Sequence, residues 1–175
     1  METYDPAKIG SCISFFGENG VYRYGDSEVI KFSRLMRLMP GRTLKTIAHD
    51  IEVGKHYFDD YMLDTRVALS IRGESPALLQ AFVSGRILHK SDLADAHIRQ
   101  QFTEIVSRHD ALLADGNPPV DLMSGIGFLT GTLRNLFLLN SREVRVIDVT
   151  LVDMFGVTLQ RVITSRQQQI IMHHR

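Results

Sequence analysis

The sequence predicts an α+β fold built as two lobes of one domain, and three observations carry that expectation. Short β-like runs broken by glycine turns open the chain, two long stretches repeat apolar residues at helical spacing, and no linker, repeat or low-complexity tract divides it.

Ile9–Phe16, Val21–Tyr24 and Ser27–Phe32 read as strands. The breaks between them, Gly17-Glu18-Asn19-Gly20 and Gly25-Asp26, have hairpin length, so a three-stranded antiparallel meander is expected. After Pro40-Gly41 the period changes. Leu44, Ile47, Ala48, Ile51, Phe58, Tyr61 and Met62 mark one buried face of a long helix over Thr43–Met62, with Thr43 as its cap. Thr65–Ile71 and Pro76–Val83 flank Arg72-Gly73-Glu74-Ser75 as a second hairpin, which completes five strands and one helix. A second helix is expected over Ser91–Ala114, with Ile98, Phe102, Ile105, Val106, His109, Leu112 and Leu113 on one face, stopping at Asp115-Gly116-Asn117-Pro118-Pro119. Residues 121–132 hold three glycines among bulky apolar residues and read as a loop whose backbone approaches something closely. Leu136–Leu139 and Glu143–Val149 form a further hairpin around Asn140-Ser141, and 157–172 read as a polar-faced terminal helix.

Composition narrows the function classes. At 175 residues, 44% hydrophobic and 23% charged, the chain has the make-up of one folded domain, neither a disordered segment nor a membrane bundle. Its 20 basic and 20 acidic residues balance, so no overall field favours nucleic acid or an anionic membrane. Cys12 is the lone cysteine and leaves no internal disulfide or zinc knuckle to build. The first twenty residues show no signal-peptide pattern and no run is long enough to span a bilayer. A cytoplasmic protein is therefore expected, with secretion by a route that needs no cleaved signal left open.

The series of elements, with the residues at their ends, resembles the protein-kinase-like superfamily, a group that includes eukaryotic-type protein kinases, RIO-type kinases and aminoglycoside phosphotransferases. The resemblance begins with GENGVYRYGDSEVIK, similar to the kinase glycine-rich loop and third-strand lysine. It implies that backbone N–H groups near Gly17 and Gly20 cover the phosphates of ATP and that Lys31 contacts them as a point charge. Glu52, beside Ile51 on the following helix, would point toward the sheet and fix the direction of Lys31. The strand and exit ALLQAFVSGRIL resemble a kinase hinge, which implies that backbone groups around Gln80, Ala81 and Phe82 hold the adenine edge. In LRNLFLLNSREVRVIDV, Asn135 and Asp148 stand 13 residues apart, as do the catalytic-loop asparagine and metal-binding aspartate of the family. Mg²⁺ takes oxygen ligands, only one or two of them from protein, so one amide oxygen and one carboxylate suffice. Each feature also has an ordinary reading as a strand end, a surface charge or a turn cap. Their order is what carries the resemblance.

The resemblance implies one kinase-like domain over 1–175, with an N-lobe of about 1–83 holding a five-stranded antiparallel sheet and one long helix. A truncated, mainly helical C-lobe of about 84–175 would follow, and a protein partner or substrate could dock on its reduced surface. Two departures stand out. The family's catalytic aspartate lies five residues before the asparagine, a position held here by Thr130, so the proton acceptor is missing or supplied by Asp121, Asp153 or His109. His109 also reads as a packed core residue and Asp121 as a cap. The second departure is the short stretch after Asp148, with no Ala-Pro-Glu segment. The expected activity is Mg-ATP-dependent phosphate transfer to a protein or small-molecule hydroxyl. Its alternatives are a pseudokinase or nucleotide-binding interaction module, an enzyme transferring AMP, and the fold without nucleotide. A general base contributes about 10²–10⁴ in rate, so its loss would weaken transfer without removing the positioning and charge stabilisation that dominate it.

Overall fold

The structure is a computed structural model that describes residues 2–14, 19–33, 44–72, 76–122 and 132–149. Gly17, Thr130, Asp153, the three-glycine stretch after Leu122 and the expected terminal helix lie outside the described residues. The chain forms two compact units: residues 1–52 with 63–83, and residues 53–62 with 84–175. No helix among the described residues is long and apolar enough to cross a membrane.

The first unit is built on a sheet of six strands. These are β1 (Glu2–Tyr4), β2 (Ile9–Ser14), β3 (Asn19–Tyr24), β4 (Glu28–Ser33), β5 (Thr65–Ser70) and β6 (Pro76–Ala81). The order across the sheet is β1-β5-β6-β4-β3-β2. The expected meander and second hairpin are both present, each antiparallel. Joining them, β6 pairs antiparallel with β4. The expected five-stranded sheet is corrected to six, because β1 adds to β5 in parallel. Three residues carry no readable alternation, and tertiary contacts hold β1 in place. Tyr4 is buried and packs edge-on against Tyr24 and Phe32, with ring centroids 6.5 and 5.9 Å apart. Arg66 on β5 pairs with Glu2 at 2.9 Å and also with Glu28 of β4. Tyr4, Ile30, Ala68, Ala77 and Leu79 form the core of this unit.

Helix α1 (Leu44–Phe58) lies between β4 and β5 in the chain. It is shorter than expected, because Asp59 takes a left-handed φ of 45° and a 3-10 turn over Asp59–Tyr61 follows. Its buried positions are Ile47, Asp50, Ile51, Gly54 and Phe58, one stripe at helical spacing.

In the second unit, β7 (Gly85–His89), β8 (Thr132–Leu139) and β9 (Val144–Val146) form a sheet in that order. Helix α2 (Ala96–Ala114) starts at Asp95, whose side chain accepts from the N–H groups of His97 and Ile98 at 3.0 and 3.3 Å. It closes at Gly116, whose φ of 80° suits only glycine without strain. The buried positions Ile98, Phe102, Ile105, Val106, His109 and Leu112 follow the predicted face. They join Leu88, Leu133, Leu136, Val144 and Val146 of the sheet in one core, as α-on-β packing requires. Among the described residues the second unit thus pairs one long helix with a three-stranded sheet. Gly85 and Arg86 obscure the pattern of β7 within the strand exit, and only pairing with β8 makes it a strand.

Candidate functional site

Lys31 and the 80–82 exit stand on neighbouring strands of the first unit. Lys31 on β4 is opposite Leu78 on β6, and it is 7% exposed although it carries a charge. A lysine so enclosed must be balanced within the fold, and it does make polar contacts. Gly20, expected in the phosphate-covering turn, is a buried residue of β3 opposite Phe32. That part of the turn reading is corrected, since its backbone sits within the ladder.

Glu52 is corrected as well. Its side chain is exposed, whereas Asp50 is 4% exposed and makes polar contacts. The helical period explains this. With about 100° per residue, Glu52 falls roughly 120° from the middle of the Ile47–Ile51–Phe58 stripe, and Asp50 lies nearer to it, at about 80° on the other side. Adjacency to Ile51 was the wrong criterion.

Backbone geometry sorts the three hinge candidates. The N–H of Phe82 donates to the carbonyl of Ser27 at 2.8 Å. Antiparallel strands alternate between hydrogen-bonded and non-hydrogen-bonded pairs, so Gln80, opposite Val29, also turns its backbone groups to β4. Ala81 turns its N–H and C=O the other way, toward β5, whose first residue, Thr65, stands opposite Gln80. Of the three, Ala81 alone turns its backbone groups toward β5 rather than β4. The Gln80 side chain is 3% exposed and donates to Thr65 Oγ1 at 2.8 Å, which donates to the Leu63 carbonyl at 2.8 Å. Arg23 covers the ring of Phe82, its guanidinium carbon 3.3 Å from the centroid. Gln80 and Phe82 thus brace the exit.

Asn135 and Asp148 both lie along the β8–β9 hairpin of the second unit. The N–H of Ile147 donates to the Asn135 carbonyl at 2.9 Å, so Asp148 is one residue beyond the last bond of the β8–β9 hairpin. Asn135 sits at an irregularity where β8 shifts register against β7, between Leu133 opposite Leu88 and Phe137 opposite Ile87. Bulges of this kind re-aim side chains. The Asn135 amide nitrogen donates to the carbonyl of Asp121 at 2.5 Å, which leaves the amide oxygen as the end suited to a cation. No group of three or more His, Cys, Asp or Glu with metal-binding arrangement occurs among the described residues. An amide oxygen with one carboxylate fits Mg²⁺, which keeps most of its shell for water and phosphate, better than zinc.

His109 is 3% exposed within the helix face, so the base reading for it is corrected to a packed residue. It donates to the Val120 carbonyl, and its Nε2 has no hydrogen-bond partner among the described residues. Burial pushes its pKa below the ordinary value, against the opposing pull of Asp110 and of the Val120 bond. The folded state therefore binds fewer protons than the unfolded chain. Its stabilising contribution is complete above the ordinary imidazole value of about 6.5 and is lost as pH falls through it toward the folded value. Melting temperature should drop on that acid side, and His109→Gln, which keeps a donor for Val120, should flatten the drop. An unchanged slope in the variant would remove His109 from the account.

No protein-family model matches the chain, and no curated protein matches it in sequence.

Proposed function

We propose that this chain is a kinase-like protein that binds Mg-ATP and transfers phosphate to a hydroxyl of a protein or small molecule. The observation that carries the reading is the sheet order of the first unit. Meander, helix and hairpin follow one another in the chain, yet β6 inserts beside β4, so the buried Lys31 and the Gln80–Phe82 exit share adjacent strands. A phosphate contact and an adenine edge are then a few residues apart on one sheet. In this reading Lys31 holds phosphate, and Asp50 rather than Glu52 is the carboxylate that balances it. Asn135 Oδ1 and the Asp148 carboxylate would hold Mg²⁺, which when bound offsets phosphate charge.

The test is thermal unfolding with ATP, with and without Mg²⁺, alongside transfer from γ-labelled and α-labelled ATP. Ligand at about a hundred times Kd adds about 2.7 kcal/mol. For a chain of this size that is roughly 5–10 °C in Tm, at about 2–4 °C per kcal/mol. The shift should require Mg²⁺ and vanish in Asp148→Ala. A shift without transfer of label marks a nucleotide-binding module, transfer of the α-label marks AMP transfer, and no shift in wild type defeats the reading.

A further inference from the structure

We infer that the outer face of the β7-β8-β9 sheet is a docking surface for the chain's own C-terminal segment, residues 150–175, which lie outside the described residues. This proposal does not depend on the nucleotide reading. Strand alternation defines the face. Leu88, Leu133, Leu136, Leu138, Val144 and Val146 enter the core shared with α2. On the other side, Ile87, Phe137 and Arg145 stand opposite one another in one row, with Leu139 two residues along β8 from Phe137. Ile87, Phe137 and Leu139 are half-buried, yet none of them belongs to or packs against either core. A sheet face turned to water is ordinarily polar, and this one is apolar but for Arg145. Gly85 shapes it further. It stands opposite Leu139, and a Cβ there would lie 2.8 Å from Phe137 Cε1. The missing side chain lets the Phe137 ring lie close against the neighbouring strand, which keeps the face flat. A flat apolar sheet face suits the apolar stripe of a helix, the packing that layered folds use.

The occupant is argued from the chain that follows. Val149 is 7% exposed and belongs to the core of this unit, so the segment departs from the end of the same sheet. In its sequence Val152, Phe155, Leu159, Val162 and Ile163 recur at intervals of three and four, an apolar stripe at helical spacing. Arg161 and Thr164 fall on the opposite side of that stripe. A tethered segment competes for the face at an effective concentration of roughly millimolar, which a second copy in dilute solution does not reach.

Limited trypsin digestion of the full chain reads the docking at Arg161, because cleavage there tracks the population of the undocked segment. Cleavage at Arg161 is expected to be much slower in the wild type than in a free peptide spanning 150–175, and independent of protein concentration. Phe155→Asp places a charge in the stripe, and Phe137→Ala removes the ring from the face. Each should speed cleavage at Arg161 by about tenfold or more relative to the matching peptide, because losing a packed aromatic usually shifts such an equilibrium by more than that factor. Cleavage at Arg108 on α2 should stay unchanged. An unprotected Arg161 in the wild type overturns the proposal, and so does protection that survives either substitution. Protection that grows with protein concentration, together with a dimer in sedimentation, overturns it in favour of a second copy. Should Phe137→Ala fail to fold, or speed cleavage at Arg108 equally, Leu139→Ala on the same face decides by the same criterion.

Discussion

Asp50→Ala is expected, if Asp50 balances Lys31 as proposed above, to lower the free energy of unfolding by about 3–5 kcal/mol, the usual cost of breaking a buried charge pair from one side. Glu52→Ala, two residues on, should stay within about 0.5 kcal/mol of wild type, as exposed substitutions do. Asp50 and Lys31 are 4% and 7% exposed, belong to the same unit and carry opposite charge. Neither charge is tolerable there alone. Urea unfolding of Asp50→Ala, Lys31→Ala and the double variant forms a cycle that isolates the coupling. If the two balance each other, the second removal costs much less than the first. Strict additivity would dissolve the pair, and a large loss in Glu52→Ala would restore the carboxylate first expected from the sequence.

Gly85→Ala should be the most damaging single methyl group. A Cβ at this position would lie 2.2 Å from the Leu138 carbonyl oxygen and 2.9 Å from Leu139 Cα. Both are backbone atoms of the paired strand, so no side-chain rotation relieves the clash. Overpacking commonly costs about 1–3 kcal/mol, and this case belongs at or above the top of that range. Gly54→Ala offers a graded comparison. There the new Cβ meets both Val149 methyl carbons at 2.8 Å and Met62 Sδ at 3.0 Å, all ends of side chains that can yield. Its loss should be smaller. Denaturant titration ranks the two. A Gly85→Ala protein as stable as wild type would contradict the close β7–β8 approach.

Much of the architecture was legible in residue periodicity, and the misses have identifiable causes. The meander, both helices and both hairpins announce themselves because each buries one face, and burial imposes a period of 2.0 or 3.6 on the residues. β1 and β7 do not, since Tyr4 in one and Gly85 in the other act through single long-range contacts. The β8–β9 hairpin that carries Asn135 and leads to Asp148 was readable because its turn and two strands follow directly in the chain. Glu52 was misjudged because neighbours in sequence point about 100° apart on a helix.

By itself, then, the sequence determined the local elements, the balanced charge and a set of polar residues at strand ends. Tertiary structure alone decided which of them share an environment. It placed β6 beside β4, enclosed Asp50 instead of Glu52 and brought the Asp121 carbonyl to the Asn135 amide. The physical reason is that periodicity reports which face of an element is buried, whereas pairing of charges and hydrogen bonds depends on which distant segment arrives at that face. No local pattern encodes that arrival.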